Sequence, residues 1–81
     1  MIDITHFTFT EMTKTDSGLD NIPNDMNVIR NLVRLSEFLQ IIRNELQLPI
    51  IVNSGYRSKE VNESVGGVYS SYHCKGLAAD I

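Results

Sequence analysis

The chain has 81 residues, a single cysteine, and seven Lys and Arg against ten Asp and Glu, for a net charge of −3. At 9.1 kDa it is one small domain that hides only about 60–65% of its unfolded surface. Cys74 has no partner for an internal disulfide, so stability has to come from a metal, a second chain or a well-packed core. The 42% apolar and 21% charged content is ordinary for a globular domain and excludes wholesale disorder. The acidic balance excludes the basic footprint of a nucleic-acid binder. No apolar run approaches the roughly 18 residues of a membrane span, and the N-terminus has no signal-peptide pattern.

In chain order, residues 1–24 read as a lead-in and loop. Thr5-His6-Phe7-Thr8-Phe9-Thr10 alternates polar and apolar residues, as a short strand or an irregular lead-in does. A helical turn through Glu11 to Lys14, capped by Thr8 or Thr10, follows from the hydroxyls at its start. Lys14 to Asn24 gathers Thr, Asp, Ser, Gly, Asn and Pro, the composition of a loop. From residue 25 the pattern becomes helical. Val28, Leu32, Leu35, Leu39, Ile42 and Leu46 recur at spacings of four and three, and Ile29, Val33, Phe38 and Ile41 widen the stripe. This predicts a core helix over residues 25–47, about six turns long, capped by Asn24 or Asp25 and stopped by Pro49. A stripe this wide implies burial against a sheet.

Residues 50–81 carry a strand, a short helix and a candidate metal-ligand segment. Pro49 to Asn53 is a β-branched apolar run typical of a buried strand. Ser58 can cap a short helix through Val65, ended by Gly66-Gly67. Leu77 to Ile81 reads as a second strand, with Leu77, Ala79 and Ile81 on one face and Asp80 on the other. The expected fold class is therefore α+β, a long amphipathic helix packed on a small mixed or antiparallel sheet. Ending in the middle of an apolar strand, the sequence is expected to lack a following segment.

The C-terminal third is rich in residues that packing does not require. A carboxylate on an apolar strand is costly to bury unless it is paired or bound to a metal. His73 precedes Asp80 by seven positions and offers an imidazole, a natural zinc co-ligand. The plainer reading leaves His73 on the surface and has Asp80 pair with Arg57 or cap a turn.

Around these two residues stands a longer pattern. Ser54-Gly55-Tyr56-Arg57-Ser58, Asn62, Gly66-Gly67, and Ser71-x-His73-x-x-Gly76-x-Ala78-x-Asp80 resemble, in order and spacing, the D-Ala-D-Ala carboxypeptidase-type zinc peptidases that act on bacterial cell-wall peptides. The likeness is to their small phage and bacterial branch. It extends back through the Phe7–Glu11 lead-in, Asn21-Ile22-Pro23 and the long helix. The resemblance implies an incomplete sheet of the hedgehog/D-Ala-D-Ala peptidase type. It implies that His73 and Asp80 are two of three protein ligands to one zinc ion, and that Arg57 positions a substrate carboxylate or oxyanion. Ser71 lines the substrate pocket or orients the His73 loop, while Tyr56, Asn62, Gly66 and Gly67 are architectural. The chemistry implied is metal-assisted hydrolysis of peptidoglycan stem peptides with a carboxylate base. The third ligand, a histidine, and that carboxylate belong beyond the second strand, so these residues alone are expected to be inactive. His6, Glu60 and Glu63 read as surface residues rather than surrogates, and Cys74, next to His73, as neither ligand nor nucleophile.

Two other classes compete. One is a non-catalytic, degenerate peptidase module that binds cell-wall peptide or a partner protein, insensitive to chelators. The other is a small acidic scaffold that self-associates through an exposed sheet edge.

Overall fold

A computed structural model describes residues 5–81 of the chain. Thr8 accepts a hydrogen bond from the Glu11 amide at 3.2 Å and starts helix α1, Phe9–Met12, the short turn expected from the hydroxyl-rich lead-in. The main helix, α2, spans Met26–Leu46. Asp25 caps it through an Oδ1 contact to the Asn27 amide at 2.8 Å. It stops at Gln47, which adopts the left-handed conformation (φ 54°) and returns its N–H to the Arg43 carbonyl at 2.9 Å. Pro49 acts at a distance here: it disfavours helical backbone at Leu48, so the reversal falls one residue earlier. Helix α3, Lys59–Ser64, starts at Ser58, whose hydroxyl accepts from the Val61 amide. A 3-10 turn, Tyr72–Lys75, is capped by Ser71, and nothing in the local pattern announces it.

The α+β expectation is overturned. Among the described residues there is no sheet; they are 45% helical with 3% in bridge pairing, and the predicted strands meet at one antiparallel bridge, Ser54 with Asp80. The backbone explains why. A ladder needs successive rungs, but beyond Ser54 the Tyr56 N–H goes to the Met12 carbonyl (2.8 Å) and the Arg57 N–H to the His73 carbonyl (3.1 Å). On the other segment, the Leu77 N–H is taken by Tyr72. The groups that would extend the ladder are engaged elsewhere. The sheet edge expected to drive self-association goes with the sheet.

The helix stripe is corrected as well. α2 buries a narrow line, Leu32, Ser36, Leu39 and Gln40, while Val33, Phe38, Ile41 and Leu46 remain 44–59% exposed. A wide stripe needs a broad apolar floor, and here the partners of α2 are α1 and the 3-10 turn. The core is Phe7, Met12, Leu32, Leu39 and Val52, with Leu35, Ile50, Tyr56 and Ala79 against it. Of the three residues predicted to share a strand face, Ala79 reaches this core, whereas Leu77 and Ile81 are exposed.

Two buried amides tie the loops to this core. Gln40 accepts the His6 N–H through Oε1 and donates through Nε2 to Asn44 Oδ1 and His6 Nδ1, all at 3.0 Å. Asn21 donates to the Thr13 and Tyr56 carbonyls at 2.8 and 2.9 Å and accepts from the Ser58 N–H at 2.6 Å. Leaving any of these groups buried without a partner would cost about 1–3 kcal/mol.

The 3-10 turn crosses α2 closely because Gly76 ends it in the left-handed conformation (φ 75°). A Cβ there would stand 2.7 Å from the Val28 carbonyl oxygen and 3.2 Å from the Leu32 nitrogen. Gly76→Ala is expected to destabilise the fold by about 2–4 kcal/mol, combining left-handed strain with overpacking. Chemical denaturation measures it, and a loss below about 1 kcal/mol would contradict the close crossing.

Candidate functional site

Residues 53–57 are the spine of the site, joined by backbone hydrogen bonds to Asp80, Met12 and His73. Asn53 and Ser54 donate their N–H groups to the Asp80 carbonyl at 2.7 and 3.3 Å, and the Asp80 N–H returns to Ser54 at 2.7 Å. Gly55 lies against α1: a Cβ at this position would collide with the Met12 backbone, its carbonyl carbon standing 3.1 Å away. Only a residue without a side chain allows that approach. The Arg57 N–H then binds the His73 carbonyl. Arg57, His73 and Asp80, separated by up to 23 positions in sequence, are thus brought together by backbone hydrogen bonds.

Their side chains converge. Arg57 Nη2 donates to Asp80 Oδ2 at 2.9 Å, Nε to Ser54 Oγ at 3.0 Å, and Nη1 to Asn62 Oδ1 at 3.4 Å. The other carboxylate oxygen, Oδ1, lies 3.5 Å from His73 Nε2. The Arg57 and His73 side chains are 16% and 12% exposed and that of Asp80 58%, so the cluster opens to solvent on the carboxylate side. Ser71 is held differently. Its hydroxyl accepts the His73 N–H at 3.2 Å and orients the loop that carries the imidazole.

The second imidazole nitrogen settles the tautomer. His73 Nδ1 is 2.8 Å from the Gly55 carbonyl oxygen; a carbonyl can only accept, so Nδ1 carries the proton. In the neutral ring Nε2 then presents a lone pair toward Asp80 Oδ1. Two acceptors 3.5 Å apart repel unless a proton or a cation lies between them. Two ligands of a tetrahedral zinc, each about 2.0–2.1 Å from the metal, stand about 3.4 Å apart. Both the donor set, one imidazole nitrogen and one carboxylate oxygen, and its separation suit zinc. Gly55 and Arg57 supply the outer hydrogen bonds that metal-ligating imidazoles and carboxylates commonly have. Among the described residues no group of three or more His, Cys, Asp and Glu side chains converges.

The sequence places Ser54 in the motif without a role, and it does not reveal Gln40 or the Gly55 carbonyl, because a main-chain acceptor and a buried amide leave no mark in a local pattern. Asn62, read as architectural, is buried and donates to the Val68 carbonyl at 2.8 Å. Cys74 is part-buried and its thiol is pushed up, chiefly by burial, against the opposing pull of Arg57 and Lys59. An activated cysteine needs the reverse shift.

The Tyr56 phenol is also raised, first by burial and then by the nearby charges of Cys74, Glu60, Asp20 and Asp25. Its neutral form is favoured in the folded state. That stability is fully present below the unfolded value of about 10 and is lost as pH rises through the folded value. Denaturation curves collected on the alkaline side are expected to show a shallower decline in Tyr56→Phe than in the wild type. Equal slopes would contradict the shift.

No curated protein and no solved structure gives a significant match to the chain. A family model, described as Peptidase M15, matches residues 5–81, a span that takes in α1, α2 and the Arg57–His73–Asp80 cluster. The chain therefore belongs to the Peptidase M15 family, the zinc peptidases of the D-Ala-D-Ala carboxypeptidase type.

Proposed function

We propose that this domain serves zinc-dependent hydrolysis of peptide bonds in peptidoglycan stem peptides, with His73 and Asp80 as two protein ligands of a single zinc ion. The observation that carries the reading is the pair of acceptors, His73 Nε2 and Asp80 Oδ1, facing each other at 3.5 Å with their outer atoms already hydrogen-bonded. A zinc ion held there supplies Lewis-acid chemistry to a scissile carbonyl.

The chain's own residues have separate tasks. His73 keeps its Nδ1 proton on Gly55 and directs Nε2 outward. Asp80 turns one oxygen to the imidazole and gives the other to Arg57. The guanidinium carries five donors and a permanent charge, so after meeting Ser54, Asn62 and Asp80 it retains N–H groups for a substrate carboxylate or a developing oxyanion. Ser71 is a positioning residue through its bond to the His73 amide.

A second reading, a non-catalytic peptide-binding module, draws on the Arg57–Asp80 contact at 2.9 Å, which already compensates the carboxylate without a metal. Calorimetric zinc titration separates the two. The wild-type chain is expected to take up one zinc, and His73→Ala and Asp80→Ala each to weaken binding by at least about tenfold. Unchanged affinity in both variants, with peptide binding indifferent to chelator, would overturn the metallopeptidase reading in favour of the module.

A further inference from the structure

A cleft of ≈ 520 Å³ opens beside the cluster, walled on one side by Lys14, Thr15, Asp16 and Ser17 and on the other by the Asn53–Arg57 spine and α3. That size falls within the range of ligand pockets. Arg57, which binds Asp80 and Ser54, forms part of its wall together with Ser54, so the cleft borders the site. Its lining is amphipathic. Val61 and Val65 give it apolar surface, and Thr15, Asn53 and Ser64 give it hydroxyl and amide groups. This mixture suits a peptide, with main-chain groups to pair and side chains to seat.

The charges on the wall are unequal in availability. Arg57 is engaged by Asp80, Ser54 and Asn62. Lys14 meets Glu11 at 3.8 Å, and both side chains are nearly half exposed. Such a pair is worth little and exchanges readily for a better partner. Asp16, two residues on, is the anion of the same wall; it tolerates one carboxylate at Lys14 but repels a run of them.

We infer that this cleft seats the part of the peptide substrate remote from the reacting carbonyl, and that Lys14 is a specificity-determining residue that reads a single carboxylate on it. The inference rests on the peptidase reading but concerns a residue that takes no part in holding zinc, so zinc titration tests that reading separately.

The probes are a synthetic tetrapeptide bearing one glutamate and the same peptide with glutamine in its place. Each is titrated into the isotopically labelled chain and followed by amide chemical shifts. The wild type is expected to bind the glutamate form about twofold to fivefold more tightly at low salt, with shifts at Thr15, Asn53 and Ser64. The preference should shrink as salt is added. Lys14→Gln should abolish it while leaving the glutamine peptide's affinity unchanged, and Lys14→Arg should retain it. Lys14 is exposed, so neither variant threatens the fold. A preference that survives in Lys14→Gln, a wild type that binds both peptides equally, or shifts confined to surfaces away from the cleft would each overturn the assignment.

Discussion

The hydrogen bond from His73 Nδ1 to the Gly55 carbonyl, 2.8 Å long, governs the organisation of this molecule. It fixes the tautomer, aims Nε2 at Asp80, and requires the Gly55 peptide to sit hard against α1. That placement depends in turn on Met12, whose carbonyl receives the Tyr56 N–H, and on Thr8, which starts α1 at the right residue. Even the buried Gln40, remote from the cluster, contributes by fixing the lead-in at His6. A small core of five residues thus positions a site mainly through main-chain hydrogen bonds, which are short-ranged and directional, and only secondarily through packing.

The Arg57–Asp80 pair plays a different part. With the carboxylate side chain 58% exposed, solvent screening leaves it worth no more than about 1 kcal/mol of stability. Its consequence is orientation. By occupying Oδ2, the guanidinium leaves Oδ1 as the oxygen turned to His73. Arg57 is anchored by Ser54 and Asn62, and Asn62 also holds the loop after α3 through Val68. Gly67 leaves room for that amide, since a Cβ there would collide with the Asn62 side chain. The glycines and asparagine of the motif act as spacers and struts for one charged side chain.

What could be read from the residues divides along physical lines. The caps at Thr8, Asp25 and Ser58 were legible because a hydroxyl or carboxylate and the amide it accepts lie within a turn of each other. The residues of the cluster were legible as a motif, and the structure places Arg57, His73 and Asp80 within contact distance. The sheet was misread because strand formation depends on a partner distant in sequence. Ile50 to Val52 has the composition of a strand, but its continuation is drawn off by Met12 and His73 after one rung. The buried face of α2 was misjudged for a similar reason. Periodicity ranks Phe38 above Gln40, yet it is Gln40 that is buried, because the lead-in offers it an N–H and an imidazole nitrogen to bind.

Nitrogen NMR of the His73 ring in the zinc-loaded chain probes the central arrangement directly. The proton should reside on Nδ1, hydrogen-bonded to Gly55, and Nε2 should show the shift of a metal-bound nitrogen. A proton on Nε2 with the metal-induced shift on Nδ1, or a ring indifferent to zinc, would contradict it.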